Sequence, residues 1–282
     1  MNDRHGCGHR DFLDGSVDDA GRDEAIMNFE ATQLQSWYEE PGGRLVVRLV
    51  GEAMERLLKE NPSERTLGLG FAQPYLDWLR PWTGHSMGAA PAEMGVVLKA
   101  PGTANRTAQV RPDALPFPDA WFERVMMVHL LEGTSDPKSA LRETWRVLAP
   151  GGRLMILVAN RGGLWARRDT TPFGWGRPYS PGQLRSILEE TLLVPRQWSY
   201  ALFFPPLKRK LSWRWANAWE KAGNRWFAPM GGVIICEAEK VVYASTPLLR
   251  KRSLIRHPAR VPLTFAEKSG TNVFSRDLST ED

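Results

Sequence analysis

The chain has 282 residues, 42% hydrophobic and 24% charged, which suits one large α/β domain and excludes a low-complexity or fibrous chain. Its 37 basic and 32 acidic residues leave a formal charge of +5, too small an excess to mark a nucleic-acid-binding protein by itself. No apolar run approaches the roughly 20 residues of a membrane span, and no apolar core follows a basic start. Two cysteines, Cys7 and Cys236, cannot form a disulfide framework, so a cytoplasmic protein without a transmembrane segment is expected.

Residues 1–28 lack periodicity and read as a disordered N-terminal tail. The cluster His5-Gly6-Cys7-Gly8-His9 within it lacks zinc-ligand spacing, and no metal is expected. One domain is expected over 29–246, followed by a basic, mostly irregular tail over 247–282. A helical pattern runs from Phe29 to Trp37, with Gly42-Gly43 as its break. Leu45, Leu49, Ala53, Leu57 and Leu58 form the stripe of a second helix, ended by Asn61-Pro62-Ser63. A short buried strand follows from Arg65 to Leu69, then the turn Gly70-Phe71-Ala72-Gln73. Pro74 suits the first turn of the next helix, which runs through Leu76 and Leu79 to near Pro81.

His85–Ala89 and Thr107–Val110 read as second and third strands. The dense apolar run Arg124–His129 reads as a central parallel strand. Asp136-Pro137 opens a helix with Ala140, Leu141, Thr144, Trp145 and Leu148 on one face. Pro150-Gly151-Gly152 is expected to end it, before a buried strand from Leu154 to Val158. Strand and helix thus alternate from Arg65 to Val158, the pattern of a doubly wound sheet with right-handed crossovers.

The loop from Asn160 to Ser180 is rich in glycine, aromatics and arginine. Two readings stay open: a lid that meets an anionic group through Arg161, Arg167, Arg168 and Arg177, or a packed surface loop. A helix is expected from Ser180 to Leu192, a strand from Gln197 to Phe204, a long helix from Lys208 to Phe227 and a last strand from Gly232 to Tyr243. In the long helix Leu211, Trp215, Trp219, Ala222 and Trp226 share one face, with Arg214, Lys221 and Arg225 on another. Such a helix can lie on a membrane surface. The first reading is that its aromatic face covers the protein's own core. Arg250, Lys251, Arg252, Arg256 and Arg260 form a stretch without acids that could meet nucleic acid, anionic lipid or an acidic partner, but is read first as a solvated tail.

The stretch Leu115-Pro116-Phe117-Pro118-Asp119-Ala120-Trp121-Phe122-Glu123-Arg124-Val125, with Arg146-Val147-Leu148-Ala149-Pro150-Gly151-Gly152-Arg153-Leu154, resembles the second half of a class I S-adenosylmethionine (SAM)-dependent methyltransferase of the type 11 group. The resemblance implies a Rossmann-like α/β fold, doubly wound, with a seven-stranded, mostly parallel sheet and an antiparallel last strand. It also implies that Asp113 and Ala114, with Leu115 beside them, hold the adenine ring of SAM. The residues alone also fit a turn capped by Asp113 with Leu115 in the core. Val128-His129-Leu130-Leu131-Glu132 resembles the family's fourth strand exit. That puts His129 at the pocket mouth, next to SAM and the acceptor, as candidate catalytic base or as a structural histidine.

Gly68-Leu69-Gly70-Phe71-Ala72-Gln73-Pro74 stands where the family has an acid and then Gly-X-Gly-X-Gly. The implied cofactor contacts here are Gly68, Gly70, Phe71 and Ala72. Gly70 is kept, but Gly68 replaces the acid, and Ala72 and Pro74 replace the other two glycines. A Cβ at residue 72 crowds the backbone, and Pro74 removes an N–H. No acid ends the second strand either, Glu93 being the nearest. Two lost charge-assisted hydrogen bonds, about 1.5–3 kcal/mol each, would weaken SAM about a hundredfold or more. Two functions follow. The first is a SAM-dependent methyltransferase with a small-molecule acceptor and SAM as cofactor, bound weakly if at all. The other is a catalytically inactive methyltransferase-like protein acting as a binding partner or regulatory subunit. Nucleic acid ranks last as a partner, because no recognition motif supports it.

Overall fold

In the computed structural model, which describes residues 30–97, 106–206 and 215–242, seven strands pair into one sheet. They are β1 (Arg65–Gly70), β2 (His85–Pro91), β3 (Thr107–Val110), β4 (Phe122–Val128), β5 (Leu148–Ala159), β6 (Leu193–Ala201) and β7 (Val233–Lys240). Their order is β3-β2-β1-β4-β5-β7-β6. The first five are parallel, and β7 runs antiparallel between β5 and β6. This is the expected seven-stranded, mostly parallel Rossmann-like sheet. The segments 1–28 and 247–282, and Lys208–Arg214 of the expected long helix, lie outside the described residues. No helix among the described residues is long and apolar enough to cross a membrane.

Each central strand is apolar on both faces, and its residues alternate between two cores. Met126 and Val128 of β4 and Met155 and Leu157 of β5 join the core under helices α1 (Ala31–Glu39), α2 (Pro41–Leu58) and α3 (Gln73–Trp78). Their neighbours Val125, Met127, Leu154 and Ile156 join the opposite core, under α5 (Pro137–Val147) and α6 (Pro181–Glu190). Between α3 and β2 lies one further short helix, α4 (Arg80–Thr83). Asp136 caps α5 by accepting the Ser139 N–H, and Ser180 with Gln183 forms a capping box on α6.

Four elements differ from expectation, each for a local reason. The break between α1 and α2 falls at Glu40, not at Gly42-Gly43: Pro41 drives its predecessor into extended backbone (φ −65°, ψ 155°). Gly43 instead sits within α2 as a contact point, since a Cβ there would lie 2.2 Å from the Trp37 carbonyl oxygen. β5 begins at Leu148 and runs through Pro150-Gly151-Gly152, with a register shift opposite Phe122 and Arg124. β6 begins at Leu193. It accommodates Pro195 because it is an edge strand and carries its irregularity there.

The fourth difference concerns α7 (Ala216–Trp226), the described part of the long helix. Trp215, Trp219 and Trp226 are exposed, so the aromatic face does not cover the core. The buried side is Ala216 and Gly223, and a Cβ at Gly223 would meet the Phe203 ring at 2.1 Å. The groove over β6 admits only the smallest side chains.

At the opposite end of the sheet Arg124 is buried among strands, held by Glu237 (2.8 Å) and the Asn61 carbonyl (2.6 Å). Arg153 binds the other Glu237 oxygen at 2.6 Å. Removing the carboxylate would leave a buried guanidinium without its counter-charge. Glu237→Ala should therefore destabilise the fold by about 3–5 kcal/mol in urea denaturation. Glu239→Ala, whose partner Arg196 is partly exposed, should cost under about 1 kcal/mol.

Candidate functional site

A cleft of about 580 Å³ opens over the C-terminal ends of β1 and β2 and runs down the sheet face beside α3. It exists because the β1–β2 crossover is short, six residues of α3 and four of α4, so helix covers only part of that face. Its floor is Gly68, Gly88 and Thr107. Its walls are the first loop, α1, α3 and residues 95–97.

Packing fixes the bare floor. A Cβ at Gly68 would lie 2.6 Å from Leu76 Cδ1 and 2.8 Å from Ala72 Cβ. The position expected to carry an acid is therefore filled from above by α3. At Gly88 a Cβ would lie 2.7 Å from Thr107 Oγ1. Gly70 has φ +77°, and a Cβ there would lie 2.2 Å from the Val128 carbonyl oxygen, which accepts the Phe71 N–H at 2.9 Å. Backbone approach between β1 and β4 thus demands glycine at 70.

Carboxylates reach the cleft from the helices instead. Asp77 of α3 accepts from Gln73 Nε2 at 2.9 Å, and Glu39 of α1 accepts from Gln35 Nε2 at 2.6 Å. Both pairs have i,i+4 spacing, a signal present in the sequence. Only the docking of α1 over the sheet edge makes it a site. Among the described residues no group of His, Cys, Asp and Glu could hold a metal.

Of the residues singled out from sequence, Gly68, Gly70, Phe71 and Ala72 line the cleft. Asp113, Ala114 and Leu115 do not. The Asp113 carboxylate is held by Arg111 at 2.7 and 3.2 Å, which keeps it below the usual carboxylate range. The Ala114 N–H donates to the Arg111 carbonyl, and Leu115 is buried with its N–H on Glu143.

His129 stands at the exit of β4 with φ 53°, but it is only 1% exposed. Its Nε2 lies 2.8 Å from the Tyr38 hydroxyl, which in turn lies 3.2 Å from Tyr75. Tyr38, not His129, reaches the cleft, stacked on Phe71 at 5.5 Å. On its other side His129 meets the Phe173 ring at 5.0 Å. Phe173 and Trp165 are buried, so the loop after β5 is anchored as a packed cover, while Arg161, Arg167, Arg168 and Arg177 are exposed on it.

Residues 84–156 match the type 11 family model described as a methyltransferase domain. The match begins after the altered first loop. An uncharacterized protein of Mycobacterium tuberculosis is 28% identical over 180 residues, covering 61% of this chain and 59% of that protein. The chain thus spans less than two thirds of that curated relative. The ubiquinone/menaquinone biosynthesis C-methyltransferase UbiE of Hahella chejuensis is 49% identical over 49 residues, 17% of this chain and 20% of that one. Among solved structures, a SAM-dependent methyltransferase of Thermotoga maritima, described as a possible histamine N-methyltransferase, aligns with TM-score 0.51 and 16% identity over 76% of this chain and 98% of its own. The complex between the Haloferax volcanii Trm112 methyltransferase activator and a methyltransferase aligns with TM-score 0.51 and 15% identity, over 74% of this chain and 98% of that chain. Both share the fold. The sheet order is that of the Rossmann-like methyltransferase fold, and across β2 to β5 the chain is similar to the type 11 methyltransferase domain, with the first glycine-rich loop outside that match.

Proposed function

We propose that the chain is a SAM-dependent methyltransferase acting on a small-molecule acceptor, with the donor in the cleft above Gly70. The observation that carries this reading is the position of the cleft. In an open α/β sheet, ligands bind outside the strand C-termini near the point where strand order reverses; that point lies between β1 and β4, and the cleft opens beside it, over β1 and β2. The residues present fit the donor in part. Asp77 and Glu39 offer carboxylates to its ammonium or ribose hydroxyls, and Phe71, Val96 and Val97 offer apolar contact. Asp113, Ala114 and Leu115 serve adenine on this reading only once Asp113 leaves Arg111. Bound SAM supplies a methyl group on a sulfonium sulfur that an acceptor can attack.

What the chain itself supplies is placement. Tyr38 and Phe71 close the cleft from the α1 side and keep water from the acceptor. His129 acts through Tyr38 as a positioning residue. Burial pushes its imidazole down to about 3, so it stays neutral and holds the hydroxyl without adding charge. The acceptor then arrives already nucleophilic. A second reading, a methyltransferase-like binding or regulatory subunit, is favoured by the filled space above Gly68.

Calorimetric titration with SAM and S-adenosylhomocysteine separates the two. The methyltransferase reading expects binding near the micromolar range, weakened about tenfold or more in Asp77→Asn or Glu39→Gln. No heat at millimolar ligand would establish the binding-subunit reading.

The pair under Tyr38 makes a pH prediction. Burial raises Glu132 from 4.5 to about 7 while lowering His129 from 6.5 to about 3. The unfolded chain protonates His129 first, so that group removes stability as pH falls from 6.5 toward 3. Glu132 acts oppositely: the folded state keeps its proton longer, so stability falls as pH rises from 4.5 to about 7. Glu132→Gln keeps an acceptor for the Ala159 N–H, which donates to Glu132 Oε1 at 3.0 Å. Urea denaturation should find this variant more stable than wild type near pH 8 and equal to it near pH 4. Equal stability at both would refute a neutral buried acid.

A further inference from the structure

The β6–β7 connection presents a tryptophan-rich surface at the cleft edge of the sheet. β7 starts at Val233, opposite Ala159 at the C-terminal end of β5. The elements just before it, α7 and the turn Ala228–Met230, therefore stand at the edge where the first loop also lies. α7 packs through Ala216 and Gly223. Trp215, Trp219 and Trp226 form an adjoining stripe, exposed by 62%, 51% and 71%. Phe227 and Met230 continue it at 58% and 62%. Scattered exposed hydrophobics are ordinary, but five large ones in sequence along one helix and its turn mark an interaction surface.

On α7 itself the exposed charges beside the stripe are basic. Lys221 and Arg225 are exposed on the next face of α7, and the Arg225 guanidinium lies 5.8 Å from the Trp226 ring centre. The helix's acid, Glu220, turns inward and accepts the Phe203 N–H at 2.8 Å. Its burial pushes it up to about 7. The α2 side contributes Arg48, which donates to Asn217 at 3.2 Å, with Arg56 and Glu52 near Glu220. Tryptophan suits the boundary between hydrocarbon and headgroups, because its ring is apolar and its N–H polar. Basic residues bordering such a stripe meet lipid phosphates.

We propose that α7 and the turn after it dock the protein on an anionic lipid bilayer, with Trp215, Trp219, Trp226, Phe227 and Met230 at headgroup depth and Lys221 and Arg225 against lipid phosphates. A two-fold contact with a second copy through the same stripe would bring these cations together, which like-charge repulsion opposes. Docking holds the sheet edge that carries the cleft toward the lipid.

Co-sedimentation of the full chain with phosphatidylglycerol–phosphatidylcholine vesicles, against phosphatidylcholine alone, tests this. Binding is expected only with the anionic lipid and should fall with added salt. The double variant Trp219→Ser/Trp226→Ser should bind about tenfold or more weakly. Lys221→Glu/Arg225→Glu should lose the preference for phosphatidylglycerol. Thermal melts of both variants should match wild type, because the replaced side chains are exposed. Absence of binding, equal binding to both lipids, or undiminished binding by the tryptophan variant would overturn the proposal. So would a dimer in light scattering that the tryptophan variant abolishes.

Discussion

A side chain on residue 68 would run into Leu76 and Ala72, so the strand beneath the cleft has to be bare where α3 crosses it. The rest of the site follows from that contact. With α3 seated low on β1, the crossover needs only two short helices. The chain leaves β1 through a left-handed Gly70, close against the β4 carbonyl of Val128. An acid at 68 and a low-riding α3 are alternatives for the same space. This sequence takes the second, and its carboxylates come from Asp77 on α3 and Glu39 on α1. A group on a helix laid over an edge is placed by packing against that edge, less tightly than one projecting from the strand itself.

The shape of the cleft therefore depends on how α1 is held. Its start is tied by the Ala31 N–H to the Met94 carbonyl at 2.8 Å. Its end is tied by Tyr38, stacked on Phe71 and bonded to His129. The left-handed backbone at 129 tolerates histidine better than most side chains and turns the chain from β4 toward Leu130. The imidazole between Tyr38 and Phe173 is kept neutral by burial, and so is Glu132 below about pH 7. A helix fixed by neutral hydrogen bonds and ring contacts in a dry interior is insensitive to salt, unlike one fixed by surface ion pairs.

The sheet was legible because its strands are apolar runs punctuated by glycine and proline. Arg65–Leu69, Arg124–His129 and Leu154–Val158 mark β1, β4 and β5 without reference to anything distant. Boundaries were lost where one residue outweighs its neighbours. Pro41 sets the α1–α2 break although two glycines follow it, and the edge position of β6 lets Pro195 remain inside a strand. Within the candidate site, Gly68 to Ala72 are contiguous, and local sequence sufficed to group them. Glu39 and Asp77 were hidden because they meet only after α1 folds over an edge built from β1 and β2. The tie of Asp113 to Arg111 is local, but two residues of separation do not say whether a carboxylate faces a neighbour or a ligand.

Helix α7 isolates the same difficulty. Periodicity reveals which residues share a face, but which face turns inward is decided by the surface opposite. Hydrophobicity alone favours burying Trp215, Trp219 and Trp226. Against β6 and Phe203, however, those rings would hold the helix away from the sheet. Ala216 and Gly223 let it sit close enough for Glu220 to accept the half-buried Phe203 N–H. Close approach and one satisfied backbone group outweigh the burial of three indoles here. The indoles then remain at the rim because nothing in the described chain covers them, which is the arrangement a lipid surface can exploit.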